Sequence, residues 1–246
     1  MANRQLKILG VWEASLNADP PELPPGAVHL WQRSLHATAA AQDACFELLS
    51  DDEREKAGRY RMEQPRCDFV LTRGTLRFLL AKYLSIPPSQ VSFRYAEHGK
   101  PFLAGGGDLR FNVSHSDGLA VMAFVRNREI GIDVERVREQ SDAMKLAERF
   151  FSPHERNALR GLSGNELHAA FFRCWTRKES YIKAKGEGLS LPLHQFDVSV
   201  ESDPAQLLLA TRPDPDEADR WSLRNVAVPP GYAATLAVEQ IAHSSV

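Results

Sequence analysis

Two long helical segments, each placed between short β-like runs, most strongly limit the folds open to this chain. From residue 66 to residue 84 apolar side chains recur at helical spacing, and Pro87-Pro88 ends the run. A second helical segment begins at Ser163 and ends at Gly186. Short runs of strand character lie on both sides of each helix. This order predicts an α+β fold in two halves rather than regular βαβ alternation.

Several shorter patterns predict where individual elements begin and pair. A serine followed three residues later by glutamate predicts a capped helix start at Ser50, Ser152 and Ser163. The apolar runs 119–125 and 130–135 are separated by four polar residues and predict a β-hairpin. Residues 221–228 and 232–238 predict a closing pair of strands.

Composition excludes several classes of function. The chain has 246 residues, 43% of them hydrophobic, and 30 basic against 32 acidic residues give a net charge of −2. This balance offers no overall attraction to nucleic acid or to a membrane surface. The N-terminus lacks a signal-peptide core, and no apolar run is long enough to span a bilayer. We therefore expect a cytoplasmic protein with neither nucleic acid nor membrane as a partner.

Carboxylates and a lysine occur at spacings that suit a divalent cation and a phosphate. Asp133 and Glu135 are two residues apart, so a strand would present both on one face. Glu179 and Lys183 are four residues apart, so a helix would place them one turn apart on the same side. Taken alone, the first pair is also typical of a solvated strand face and the second of a surface ion pair.

Four ordered blocks carry a resemblance to a known family. The chain resembles the 4′-phosphopantetheinyl transferases of the large, surfactin-synthetase-activating type, from about residue 50 to residue 193. The blocks are His98-Gly99-Lys100-Pro101, Phe111-Asn112-Val113-Ser114-His115-Ser116, Gly131-Ile132-Asp133-Val134-Glu135 and residues 172–183. The resemblance implies two similar α/β subdomains related by a pseudo-twofold axis, with a coenzyme A cleft at their interface. We expect the subdomains to span residues 1–116 and 117–246.

The resemblance implies a reaction and roles for the acidic residues. Such an enzyme transfers the 4′-phosphopantetheine arm of coenzyme A to a serine of an apo acyl or peptidyl carrier protein and releases 3′,5′-ADP. By resemblance, Mg²⁺, with Mn²⁺ as a possible substitute, is held by Asp133, Glu135 and Glu179. Glu179 is also the candidate base for the serine proton, and Lys183 is the candidate diphosphate ligand.

Further residues are implied as contacts of coenzyme A. His115 and Ser114 are expected at the phosphates, with His115 counted among the catalytic residues, and Lys100 is expected at the nucleotide. No Gly-x-Ser-x-Gly turn surrounds Ser114, which argues against a hydrolase nucleophile. For the 3′-phosphate we choose three basic residues of the first half, which are Lys56, Arg66 and Arg73. The chain departs from the family pattern at Glu53 and Asp68, where many relatives have basic residues.

The expected partners are coenzyme A and an apo carrier protein, and the expected state is a monomer. Residues 136–151 are a candidate docking face for the carrier, although an amphipathic helix packed on its own core has the same pattern. Two other functions stay open at this point. One is a paralogue that binds coenzyme A or a carrier without catalysis, and the other is a metal-dependent phosphohydrolase.

Overall fold

The computed structural model describes residues 7–240. The N-terminal part contains β1 (Lys7–Glu13), β2 (Ala27–Ser34), α1 (Ala39–Glu47), α2 (Asp51–Gly58), α3 (Glu63–Leu84), β3 (Phe93–Tyr95), β4 (Pro101–Leu103), β5 (Leu109–Ser116) and β6 (Leu119–Arg126). The C-terminal part contains β7 (Ile130–Arg136), α4 (Ala143–Phe150), α5 (Pro153–Arg160), α6 (Gly164–Lys185), β8 (Phe196–Val198), β9 (Leu208–Thr211), β10 (Trp221–Asn225) and β11 (Tyr232–Glu239). Short 3₁₀ turns lie at residues 88–90, 188–190, 193–195 and 215–220.

Each part joins a sheet to one long helix. The N-terminal sheet has the order β1-β2-β6-β5, in which β1 and β2 are parallel and the other pairs are antiparallel. The C-terminal sheet is antiparallel, with the order β10-β11-β7. Two small hairpins, β3–β4 and β8–β9, are separate from these sheets. The predicted two-part α+β fold is confirmed. The division after residue 116 stays a prediction, and the next strand, β6, hydrogen-bonds to β2 and β5.

Three apolar cores hold these layers together. One face of the N-terminal sheet packs against α1 and α3 through residues such as Leu71, Leu79 and Phe124. The C-terminal sheet packs against α6 through residues such as Ile182 and Ala237. The third core lies between the sheets and is formed by side chains of β2, β6, β7 and β11. The two parts therefore share a core and enclose it from both sides.

The predicted hairpin of residues 119–135 is wrong. β6 pairs with β2 and β5, whereas β7 pairs with β11, so the two strands belong to different sheets. The connection turns at Asn127, whose φ is +56°, and carries the chain from one sheet to the other. Almost every residue of both strands is buried. An apolar run buried on both faces has no alternation that identifies its partner strand.

Two of the three predicted capping boxes are confirmed. Ser50 and Ser152 each form the reciprocal pair of bonds with the glutamate three residues later. At Ser163 the predicted helix start is correct, since α6 begins at Gly164, but the predicted capping box is wrong because the serine side chain makes no capping bond. The next residue, Gly164, has a φ of +55°, which turns the backbone away from the usual cap geometry. In residues 7–240 no helix is both long and apolar enough to cross a membrane.

Candidate active site

Close packing of α6 on β7 brings the predicted acidic residues together with the lysine. A Cβ atom on Gly131 would lie 2.1 Å from the Ser180 carbonyl oxygen and 2.4 Å from the Ala184 nitrogen. Only glycine permits this approach of the strand to the helix. Because Asp133 follows two residues later on the same face of β7, it also faces α6. The close packing of α6 on β7 therefore explains why glycine stands at position 131.

Asp133 lies at the centre of the site and is buried. Its Oδ1 atom accepts hydrogen bonds from the Ser114 hydroxyl at 2.8 Å and from the Lys183 ammonium at 2.6 Å. Lys183 also donates to the Ser114 hydroxyl oxygen at 3.1 Å. One side chain each from β5, β7 and α6 therefore meets at a single point, which joins the two parts of the molecule.

The carboxylates Asp133, Glu135 and Glu179 lie close enough to affect one another's ionisation. Burial and the charges of the other two carboxylates raise the pKa of Glu179 to about 6, although Lys183 opposes this shift. Burial also raises the pKa of Glu135, while a hydrogen bond from Ser116 lowers it and Asp133 raises it. Burial is the largest cause of both shifts, and the negative charges of the neighbouring carboxylates raise the two pKa values further. The three carboxylates therefore concentrate negative charge at this point.

This charge suits a divalent cation. The second carboxylate oxygen of Asp133, Oδ2, is buried and has no hydrogen-bond partner among residues 7–240. Carboxylate oxygens are the ligands that Mg²⁺ prefers. As they stand, however, no three His, Cys, Asp or Glu side chains in the described part of the chain form a preassembled metal cluster. The donor set fits a cation in its chemistry, with one oxygen of Asp133 still free for it.

His115 lies on β5 immediately after Ser114, with part of the residue exposed to solvent and its ring partly enclosed by the protein. Burial of its ring lowers the pKa of His115, Asp68 raises it and Lys183 lowers it further. Asp68 therefore lies within electrostatic reach of His115, across from β5 on α3. The structure places His115 on the opposite face of β5 from Ser114, within electrostatic reach of Lys183 and of an acidic neighbour that the sequence did not associate with it.

Lys100 lies beside a small cavity at the edge of this site, but its charge is already paired. Its ammonium donates to Glu129 at 2.8 Å and to the Ala184 carbonyl oxygen at 3.0 Å. A cavity of about 210 Å³ is lined by the turn 98–101, by Asn112 and by Lys183. A larger cavity of about 550 Å³ shares Lys100 with it and extends towards β3 and β4.

The three basic residues chosen for the 3′-phosphate occupy different environments. Lys56 and Arg66 are exposed, with their cationic groups over the rings of Phe69 and Phe46. Arg73 is largely buried, where it forms an ion pair with Glu53 at 3.5 Å. Glu53 also forms an ion pair with Arg77 at 2.5 Å, so its carboxylate lies between two buried or largely buried guanidinium groups and balances part of their charge. Glu53, which departs from the family pattern, therefore has a structural partner in this chain.

Two polar residues of the site were missed from the sequence. Asn112 Oδ1 accepts a hydrogen bond from the Ile132 amide at 2.9 Å, and the Ser116 hydroxyl donates to Glu135 at 2.7 Å. Asn112, Ser114 and Ser116 alternate along β5 and so share one face. That alternation was a usable signal, because it placed three polar side chains on the same side as the predicted phosphate contact.

The candidate docking helix α4 packs on its own domain. Met144, Leu146 and Phe150 are partly buried against the C-terminal core. Phe150 also makes an edge-to-face contact with Trp175 of α6. These contacts account for its amphipathic pattern by internal packing.

Comparison with known proteins agrees with this architecture. Residues 129–237 match the 4′-phosphopantetheinyl transferase superfamily, and residues 31–127 match the family described as 4′-phosphopantetheinyl transferase, N-terminal. The 4′-phosphopantetheinyl transferase HetI of a Nostoc species is 37% identical over 225 residues, which cover 89% of this chain and 91% of that protein. The 4′-phosphopantetheinyl transferase Sfp of Bacillus subtilis is 32% identical over 187 residues, or 76% and 80% of the two chains. The chain therefore belongs to the 4′-phosphopantetheinyl transferase superfamily and is an enzyme of that family.

Proposed function

We propose that this enzyme transfers the 4′-phosphopantetheine arm of coenzyme A to a serine of an apo carrier protein, with Mg²⁺ as its cofactor. In the reaction the serine oxygen bonds to the β-phosphorus of coenzyme A, the bond to the leaving phosphate breaks, and 3′,5′-ADP is released. The observation that carries the proposal is the meeting of Asp133, Ser114 and Lys183 beside two further carboxylates. The site thus contains groups suited to bind a cation, to donate hydrogen bonds to a diphosphate and to accept a proton.

Asp133, Glu135 and Glu179 would hold the cation. When bound, Mg²⁺ or Mn²⁺ neutralises negative charge on the diphosphate and on the leaving group. The partnerless Asp133 Oδ2 and the raised pKa values of Glu135 and Glu179 support this assignment. A cation among these residues would also relieve their mutual repulsion.

Glu179 would accept the proton of the carrier serine. A carboxylate held close to the reacting hydroxyl can serve as a general base, and the electrostatic coupling of Glu179 to Asp133, Glu135 and Lys183 supports this role. Lys183 would donate hydrogen bonds to the diphosphate, and its position next to Ser114 supports this role. His115 and Ser114 would contact the phosphates from β5.

The nucleotide end of coenzyme A would lie in the cleft between the two parts. The cavity beside Lys183 and Lys100 supports this placement. Exposed Lys56 and Arg66 are available for the 3′-phosphate. Arg73 is largely buried beside Glu53, so we expect Arg73 to contribute less than the other two.

One experiment tests the proposed reaction against its alternatives. The protein is incubated with coenzyme A, Mg²⁺ and an apo carrier protein, and the carrier is weighed by mass spectrometry. A mass gain of one phosphopantetheine that a chelator abolishes supports the proposal. Binding of coenzyme A without that gain would indicate a non-catalytic binder. Release of phosphate from coenzyme A without a carrier would indicate a hydrolase.

Substitution of the acidic residues tests the site itself. We expect Glu179→Gln and Asp133→Ala each to lower turnover by at least about 100-fold, because each removes a carboxylate that acts on the reacting groups. Initial rates of carrier modification measure this loss, and circular dichroism checks that the fold is retained. A near-wild-type rate in either folded variant would contradict the site.

We further propose that the enzyme acts as a monomer in the cytoplasm. The two parts already supply both sides of the cleft within one chain, which supports a monomeric active form. Size-exclusion chromatography with light scattering would test this state, and a stable dimer would contradict it.

A further inference from the structure

Hydrogen bonds from side chains, rather than backbone-to-backbone hydrogen bonds, join β5 to β7. The two strands are neighbours but belong to different sheets. No backbone hydrogen bond joins residues 109–116 to residues 130–136. Polar side chains on alternate positions of β5 reach across instead, and they are Asn112, Ser114 and Ser116. These three side chains supply the hydrogen bonds between β5 and β7, in addition to the apolar core that the two parts share.

Each of the three makes a different contact. Asn112 binds the backbone of β7 through the Ile132 amide. Ser114 binds a side chain, the carboxylate of Asp133. Ser116 does both, because its hydroxyl donates to Glu135 Oε2 at 2.7 Å and accepts from the Arg136 amide at 3.2 Å. Ser116 thus contacts both the backbone of β7 and the carboxylate of Glu135, whose orientation it restricts.

The orientation of the Glu135 carboxylate depends on Ser116 more than the orientation of the Asp133 carboxylate depends on Ser114. Asp133 is held by Lys183 as well as by Ser114. Within residues 7–240, the Glu135 carboxylate has no second hydrogen bond and no ion pair. Without the Ser116 hydroxyl it would be free to rotate away from the site.

The backbone that carries Ser116 is itself fixed. In the turn that follows, the Tyr232 hydroxyl donates to the Asp117 carbonyl oxygen at 2.5 Å. The Leu35 amide donates to the Gly118 carbonyl oxygen at 2.8 Å. Contacts from both parts of the molecule therefore hold the Ser116 hydroxyl in one place.

We propose that Ser116 is a positioning residue that holds the Glu135 carboxylate ready for cation binding. This inference rests on the proposed function, in which Glu135 is a cation ligand. Hydrogen bonds to ligating side chains restrict their orientation, and their loss typically lowers metal affinity by about 10- to 100-fold. Ser116 would act in this way through its hydrogen bonds to the Glu135 carboxylate and the Arg136 amide.

Direct binding of Mn²⁺ tests the inference without reference to turnover. Free Mn²⁺ is measured by electron paramagnetic resonance in the presence of the full-length protein and saturating coenzyme A, with no carrier. We expect Ser116→Ala and Ser116→Cys to raise the Mn²⁺ dissociation constant by about 10- to 100-fold. Ser116→Thr keeps a hydroxyl and should restore most of the affinity.

Ser199→Ala is the matched control. The Ser199 hydroxyl also accepts a backbone amide hydrogen bond, from Glu201 at 3.1 Å, but it touches no carboxylate of the site. This variant should bind Mn²⁺ as the wild type does. Wild-type affinity in folded Ser116→Ala and Ser116→Cys, or equal loss in Ser116→Thr, would overturn the positioning role alone. Absence of Mn²⁺ binding by the wild-type protein would overturn the metal site and the positioning role together.

Discussion

At the scale of single residues, burial decides which titratable groups serve the site and which serve the fold. Glu179 and Glu135 are partly buried beside other charges, and their pKa values are raised. His29 is fully buried in the N-terminal core and lies between aromatic rings. Its Nδ1 atom is 2.8 Å from the Tyr83 hydroxyl, whereas Nε2 has no hydrogen-bond partner in the described part of the chain. The same physical cause therefore shifts the pKa of proposed active-site carboxyls in one place and of a core histidine in the other.

Acidification should destabilise the protein through His29. Burial lowers its pKa to about 4, below the value of about 6.5 expected in the unfolded chain. Between these values the unfolded state binds the proton more strongly, so stability is lost as the pH falls. We expect a loss of about 2 kcal/mol from this residue between pH 7 and pH 5. Urea unfolding at both pH values, monitored by circular dichroism, measures it.

A substitution separates His29 from other acid effects. The difference in unfolding free energy between pH 7 and pH 5 should shrink in His29→Gln, provided that the variant folds at pH 7. Exposed His194 is the control, and His194→Gln should keep the wild-type difference. If His29→Gln shows the same pH dependence as the wild type, His29 is not the cause.

At the scale of elements, a buried ion pair fixes the two helices that support the site. The Lys178 ammonium on α6 lies 2.7 Å from Glu155 of α5, and neither side chain is exposed. Lys178 also donates to the Leu193 and Phe196 carbonyl oxygens. Glu155 accepts from the Ser152 and Val198 amides. These bonds connect the start of α5, the middle of α6 and β8 directly beside Glu179.

Removal of one partner should be strongly destabilising. We expect Lys178→Met to lower the free energy of unfolding by about 3–5 kcal/mol, because it leaves the Glu155 charge buried without compensation. Adding Glu155→Gln should recover part of this loss, since the uncompensated charge is then absent. Urea unfolding of the single and double variants measures both effects.

The exposed pair Lys145–Asp142 provides the comparison for this prediction. It has a similar distance of 2.9 Å but lies on the surface. Lys145→Met should therefore change stability little. Equal losses of unfolding free energy in Lys178→Met and Lys145→Met would show that burial of the ion pair does not determine its effect on stability.

The sequence predicted elements and acidic residues better than it predicted partners. Spacing and resemblance together placed Asp133, Glu135 and Glu179 near one another. The spacing was informative because residues two apart in a strand, or four apart in a helix, lie on the same face. The partner of β7 could not be predicted, because a strand buried on both faces carries no directional pattern. Ser116 was missed for a related reason. Its hydroxyl has a role only because β5 and β7 come from different sheets and meet side by side.

At the scale of the whole molecule, the core between the sheets should make the two parts unfold together. Its members come from β2 and β6 on one side and from β7 and β11 on the other. Separation of the parts would expose all of them to water, at a cost of about 25 cal/mol per Å² of apolar surface. A partly folded intermediate is therefore disfavoured.

Single-tryptophan variants can test this cooperativity. Trp31 lies in the N-terminal core and Trp221 in the C-terminal core, and both are largely buried. In variants that keep one of them, with the other tryptophans replaced by phenylalanine, fluorescence and circular dichroism should give coincident urea transitions. A fluorescence transition displaced from that of circular dichroism in either variant would indicate independent unfolding.

The meeting of Ser114, Asp133 and Lys183 has a consequence for how preparations of this enzyme are assessed. These residues come from β5, β7 and α6, so neither part can assemble the site without the other. A molecule in which one part has unfolded should therefore be inactive rather than partly active. Active-site titration should thus count fully folded molecules, and specific activity should fall in proportion to the unfolded fraction while the Michaelis constant for coenzyme A stays unchanged.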